Sequence, residues 1–132
     1  MTLVLDSSVL VEVVLGGPGA EELVGLLSSR TGRVVGGAAT LLEAGIVIRA
    51  RAGEEAGHDL DALLGELEVE VVPFDEDMAQ AGHRAWTRFG KGRHPAGLNL
   101  GDCFSYALTE IEDAELLFLG DDFTKTDIRA AR

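Results

Sequence analysis

The chain has 132 residues, 23 acids against 11 bases and a formal net charge of −12. Its length favours a single domain spanning residues 1–132, and 46% hydrophobic with 26% charged residues fits an ordered globular protein. The acid excess argues against broad coating of nucleic acid, and the lone Cys103 excludes a disulfide framework or a Cys-rich zinc site.

Residues 2–5 are a short apolar run ending at Asp6 and predict a buried strand. Ser7 or Ser8 is placed to cap a helix reaching Leu15, which Gly16-Gly17-Pro18-Gly19 stops. Leu23, Leu26 and Leu27 mark a second helix over residues 20–29, and residues 33–35 a second strand ended by Gly36-Gly37. Thr40 is placed to cap a helix through Arg51 with Leu42, Ile46 and Ala50 on one stripe, and residues 54–67 predict another with Leu60, Leu63, Leu64 and Leu67 on one face. A β-branched run over residues 69–74 predicts a strand. The helix over 76–88 is expected to turn Met78, Ala79, Gly82, Ala85, Trp86 and Phe89 inward. A Gly-rich loop over 90–97, a helix over 99–112, a last strand over 115–119 and a polar tail complete the chain. Strands alternating with helices predict a three-layer α/β/α fold with a mainly parallel sheet of four to five strands. No basic leader precedes the first apolar run, and residues 9–15 are broken by Glu12 and too short for a bilayer, so a cytoplasmic protein without a membrane span is expected.

In open parallel sheets, ligands bind where the strands end. Asp6 ends the first strand, Asp121 and Asp122 follow the last, and Glu43 and Asp102 sit near the heads of helices that begin on that same edge. Each acid also has a local explanation. Asp6 can cap its helix, Thr40 and Glu43 have capping-box spacing, as do Asn99 and Asp102, and the Asp121-Asp122 pair suits a turn. Convergence is the stronger argument. Clustered carboxylates raise one another's pKa unless a cation lies between them, and an all-oxygen set suits Mg²⁺ or Mn²⁺ and hence phosphodiester chemistry.

Residues 4–10, Val-Leu-Asp-Ser-Ser-Val-Leu, resemble the opening of PIN domains, and more narrowly of VapC-type toxins. Residues 40–47 (TLLEAGIV), 98–107 (LNLGDCFSYA) and 117–128 (LFLGDDFTKTDI) are each similar to that family's later blocks, in the expected order over nearly the whole chain. The resemblance implies a Mg²⁺- or Mn²⁺-dependent endoribonuclease that inhibits translation by cutting tRNA or rRNA, the toxin of a type II toxin–antitoxin pair. It implies a VapB-type antitoxin as partner, a homodimer, and a larger assembly held on operator DNA by the antitoxin. The family's acids map onto Asp6, Glu43, Asp102 and the Asp121/Asp122 pair, with Ser8 and Asn99 as supporting polar residues. Where the family often carries Asn-Asp, this chain has Asp121-Asp122, and Asp122 is the favoured metal ligand of the two. Asp6, Asp102 and one tail aspartate would hold a first ion, with Glu43 binding a second or orienting water. Attack by a metal-activated water needs no 2′-hydroxyl, so 5′-phosphate products are expected.

His83, Arg84, Arg88, Lys91, Arg93 and His94 form the one concentrated basic stretch. Arg84, Arg88, Lys91 and Arg93, with Lys125 from the tail, are candidates for contacts to an RNA backbone, against the plain alternative of a solvated surface. Tyr106, one turn past Asp102, either lines the site or packs in the core with its hydroxyl at the rim. Two other classes compete with the nuclease. A phosphotransferase with Asp6 as nucleophile usually needs an acid where Ser8 stands, and a catalytically inactive PIN-like module would keep the acids only to bind an antitoxin or RNA.

Overall fold

The computed structural model describes residues 1–132. Strands β1 (Leu3–Leu5), β2 (Val34–Gly37), β3 (Glu70–Val72) and β4 (Glu115–Leu117) form one sheet in the order β3-β2-β1-β4, and every pairing is parallel. Alternation along the strands explains why they are apolar throughout. Leu3 and Leu5 pack on one face and Val4 on the other, as do Leu117 and Leu116 of the neighbouring strand. A parallel sheet covered on both faces leaves no polar side to its central strands.

Helices α1 (Ser7–Leu15), α2 (Ala20–Ser29), α3 (Ala38–Ala52) and α4 (Glu54–Glu66) supply the core of the first face. Helices α5 (Glu76–Phe89) and α6 (Leu100–Ile111) supply the second, joined by Phe118 and Phe123. A 3-10 turn, Asp122–Lys125, follows β4. The chain then returns to the sheet. Leu116 N–H donates to the Arg129 carbonyl at 2.9 Å and Ala131 N–H to the Leu116 carbonyl at 2.9 Å, a single parallel bridge at the outer edge of β4. The fourfold sheet and this bridge are the two counts the sequence left open between four and five strands.

Five local expectations change. Asp6, not Ser7 or Ser8, caps α1, because its carboxylate accepts from the Ser8 amide. Helix α3 begins at Ala38 straight out of β2, so Thr40 lies inside it and the Thr40–Glu43 capping box does not form. The stripe of Leu42, Ile46 and Ala50 points outward, Leu42 66% and Ile46 58% exposed, while Ala44, Gly45 and Ile48 face the core. The inner face of α3 packs among α1 and α4, where Ala44 and Ile48 join Val9, Leu10 and Leu60 and Gly45 lies against Leu60. Trp86, expected inside, is 45% exposed beneath the Arg93 guanidinium, 4.8 Å from its ring, and Ala81 takes the buried position. Strand β4 stops at Leu117, two residues early, because the Leu119 amide leaves the ladder to donate to the Ser8 hydroxyl at 3.1 Å.

Candidate active site

Chain order makes β1 the switch point of the sheet. β2 and β3 extend from one side of it and β4 lies on the other, so the crevice beyond the ends of β1 and β4 is where such a fold opens. Asp6 sits at that point, 5% exposed, with its amide donating to the Leu117 carbonyl of β4 at 3.0 Å. One carboxylate oxygen, Oδ2, accepts from the Ser8 amide at 3.2 Å and the Ser8 hydroxyl at 2.5 Å. The other, Oδ1, accepts from the Ser105 hydroxyl at 2.5 Å. Ser8 in turn accepts from the Leu119 amide, so one hydroxyl ties the exits of β1 and β4 together.

Ser105 is the site residue that sequence reasoning missed. It is 1% exposed on α6, three residues past Asp102. Its signal was a small hydroxyl on a helix face otherwise built of Cys103, Tyr106, Ala107 and Leu108, since a buried hydroxyl must find a partner.

Asn99 and Asp102 do form a reciprocal capping box at the start of α6. The Asn99 side chain accepts from the Asp102 amide at 2.9 Å, and Asp102 Oδ2 accepts from the Asn99 amide at 3.1 Å. Asp102 is nevertheless pushed up to about 6 from an ordinary 3.8. Burial is the main cause, and the charges of Asp6, Asp122 and Glu43 add to it, against the lowering effect of the Asn99 hydrogen bond. Three acids from three other segments therefore share one electrostatic neighbourhood with Asp102. Asp121 begins the 3-10 turn without a side-chain cap bond and is not among the charges that act on Asp102.

Glu43 differs from the rest. No capping bond holds it, and its Oε1 is buried without a hydrogen-bond partner. Its carboxylate lies so close to Gly101, beside Asp102, that a Cβ there would collide with it. The glycine opens the first turn of α6 to a carboxylate from α3. As the side chains stand, no three His, Cys, Asp or Glu groups are arranged to hold an ion. Asp6 and Asp102 are held by hydroxyls and amides, yet each carboxylate has about four lone-pair sites, and Glu43 Oε1 has spent none of its own. An all-oxygen set with one orphaned carboxylate oxygen fits a hard divalent cation.

The basic stretch is largely occupied. Arg84 pairs with Glu110 at 3.1 Å, Arg88 with Asp127 at 3.3 Å, and Arg93 donates to the Thr87 carbonyl at 3.2 Å. His94 accepts from the Ala96 amide and packs edge-on against Phe89. Every ion pair of the molecule uses an arginine, and Lys91 and Lys125, like Arg51 and Arg93, are exposed cations without a carboxylate partner. Tyr106 is buried and its hydroxyl donates to Asp127 at 2.6 Å.

Between α3 and α6 a groove of about 350 Å³ is lined by Leu42, Glu43, Ile46, Leu100, Gly101 and Phe104 among others. Leu100 and Phe104 also wall an apolar pocket of about 430 Å³ with Phe74, His83 and Trp86. No helix is long and apolar enough to cross a membrane.

The PIN domain family model matches residues 3–129. A ribonuclease VapC of Mycolicibacterium smegmatis is 44% identical over 128 residues, 97% of this chain and 98% of that one. Among solved structures, Mycobacterium tuberculosis VapC20, a sarcin-ricin loop cleaving toxin, superposes with a TM-score of 0.83 at 17% identity, covering 98% of each chain. A VapBC2 from Rickettsia felis, bound to a DNA fragment from its promoter, superposes with a TM-score of 0.76 at 14% identity over 98% of this chain and 96% of that one.

Proposed function

The chain belongs to the PIN domain family, among its VapC ribonucleases, and on that premise we propose that it is a Mg²⁺- or Mn²⁺-dependent endoribonuclease acting at Asp6, Glu43, Asp102 and Asp122. The observation that carries the reading is Glu43, whose buried, unpartnered oxygen faces the head of α6 at the switch point of the sheet. A buried orphan oxygen costs about 1–3 kcal/mol, and in an acid cluster that cost is recovered when a cation arrives.

In this reading Asp6, Asp102 and Asp122 would hold the ion. Asp122 is preferred to Asp121 because its charge reaches Asp102. A bound divalent ion would neutralise the rim and lower the pKa of a water, the chemistry that in-line attack on phosphorus needs. Ser8 and Ser105 fix both oxygens of Asp6 so that it meets the ion in one orientation. Asn99 does the same for Asp102 through the capping box. Glu43 Oε1 accepts a hydrogen bond from water and orients it. Of the five basic candidates, Lys91 and Lys125 are free to meet an RNA backbone, whereas Arg84, Arg88 and Arg93 must first exchange protein partners. Sequencing of RNA ends after induction, with Asp6→Asn as control, is expected to show 5′-phosphate ends and to name the RNA. Cyclic 2′,3′-phosphate ends, or cleavage that survives EDTA, would sink the scheme. Growth arrest by Asp6→Asn would favour the inactive binding module.

The partner we propose is a VapB-type antitoxin whose basic segment enters the unpaired acid rim, consistent with the net charge of −12. The exposed Leu42, Ile46, Leu100 and Trp86 support a homodimer, because such apolar area is rarely left bare on a monomer. Sedimentation of the chain alone is expected to give a dimer that Leu42→Glu with Ile46→Glu converts to monomer.

A further inference from the structure

We propose that Tyr106, Asp127 and Arg88 form a strut whose task is positional: it holds the turn carrying Asp122 against the helix carrying Asp102. The inference rests on the metal-nuclease reading above. Asp102 and Tyr106 lie one turn apart on α6. Asp122 and Asp127 lie at the two ends of the tail segment that begins with the 3-10 turn. The Tyr106 hydroxyl donates to Asp127 Oδ1 at 2.6 Å, so the two elements that supply these two carboxylates are bolted together a few residues beyond them. Arg88 of α5 completes the joint. Its Nη1 donates to Asp127 Oδ2 at 3.3 Å and to the Tyr106 oxygen at 3.5 Å, and its guanidinium lies over the Phe89 ring.

Packing alone does not require this joint. Tyr106 is 2% exposed and a phenylalanine would fill the same volume. What the hydroxyl adds to the fold is this joint: the bond to Asp127, a charge-assisted bond of the stronger kind, and the longer contact it accepts from Arg88. The tail needs it. Phe123 is buried against Phe118, and the bridge to Leu116 begins only at Arg129. Between those anchors the chain bonds to itself, through Thr124 to the Asp121 carbonyl and Thr126 to the Phe123 carbonyl. The strut is the one side-chain hydrogen-bonded link from this stretch to the helices, beside the packing of Ile128 against the core that α5 and α6 supply. It also pairs Asp127 with Arg88.

Tyr106, Asp127 and Arg88 are thus positioning residues, and two measurements on the full chain test them. In the metal-free protein, amide exchange at Thr124 and Thr126 is expected to speed up by about fivefold in Tyr106→Phe, the worth of one hydrogen bond. In a Mn²⁺ titration followed by electron paramagnetic resonance, the same variant is expected to bind the ion about fivefold more weakly, with the RNA KM nearly unchanged. Asp127→Ala should match it, and the double variant should be no worse than either, since both remove one joint. Exchange and Mn²⁺ affinity both unchanged in Tyr106→Phe would overturn the strut. A wild-type chain that binds no Mn²⁺ would remove the metal reading instead, while the exchange measurement would still judge the strut.

Discussion

At the edge where the strands begin, acids meet arginines; at the edge where they end, acids meet acids. Arg33, just before β2, holds Glu70 at the start of β3 at 2.6 Å and Glu112 at the end of α6 at 2.9 Å. Arg30 pairs with Glu115 at the start of β4, and Arg129 with Asp113. Glu70 is held below the usual carboxylate range by its bond to Arg33. Across the sheet, Asp6, Glu43, Asp102, Asp121 and Asp122 take part in no ion pair, and Asp102 is pushed up to about 6 by burial and by its acidic neighbours. A chain with 23 acids and 11 bases had arginine to spend on either edge. Its placement at the first edge closes loops onto the sheet, and its absence from the second leaves an acid rim whose counter-charge must come from outside.

The comparison can be broken from both sides. The largest effect belongs to Asp6→Asn, which should lower cleavage by on the order of a hundredfold or more, the several kcal/mol a divalent ion contributes. A purified-enzyme assay in Mg²⁺ checks it. Ser105→Ala should cost about 1.5–3 kcal/mol in urea unfolding, because it strips a hydrogen bond from a buried carboxylate. Asp102→Asn should act oppositely on the metal-free protein. Its folded pKa of about 6 stands above the ordinary 3.8, so protonation favours folding, and the stability it contributes at low pH is lost as pH rises through about 6. The variant should therefore be more stable than wild type at pH 7 by about 1 kcal/mol after allowance for solvent screening, and the gap should close below pH 4. Added Mg²⁺ should reverse the order, since only wild type gains from the ion. At the paired edge, Arg33→Met should lower Tm at low salt, less so at high salt, and leave Mn²⁺ binding unchanged. The smallest change expected is in Lys91→Ala with Lys125→Ala, which should flatten the salt dependence of RNA binding by about two charges' worth.

Much of this contrast was legible in the chain. The rim acids could be located because an acid that directly follows a strand, or that heads the next helix, lies on one edge of any parallel sheet. What local reasoning misjudged was how each acid is held. Asp6 and Asp102 have the caps their spacing suggested, while Glu43 has none, because α3 starts two residues before Thr40. The basic stretch read as a free surface because its partners, Glu110 and Asp127, lie 26 and 39 residues away from Arg84 and Arg88.

The sequence by itself determined the alternation of strands and helices, the parallel sheet and the set of acids at its open edge. Those follow from periodicity and chain direction, which are local properties. Tertiary structure alone decided which stripe of α3 is buried, since its packing among α1 and α4 selected Ala44, Gly45 and Ile48 over Leu42 and Ile46. It also decided that Ser105 reaches Asp6 across 99 residues of chain, and that Glu43 is left without a partner against Gly101. Such contacts depend on where distant segments meet, and no local pattern in the sequence records that.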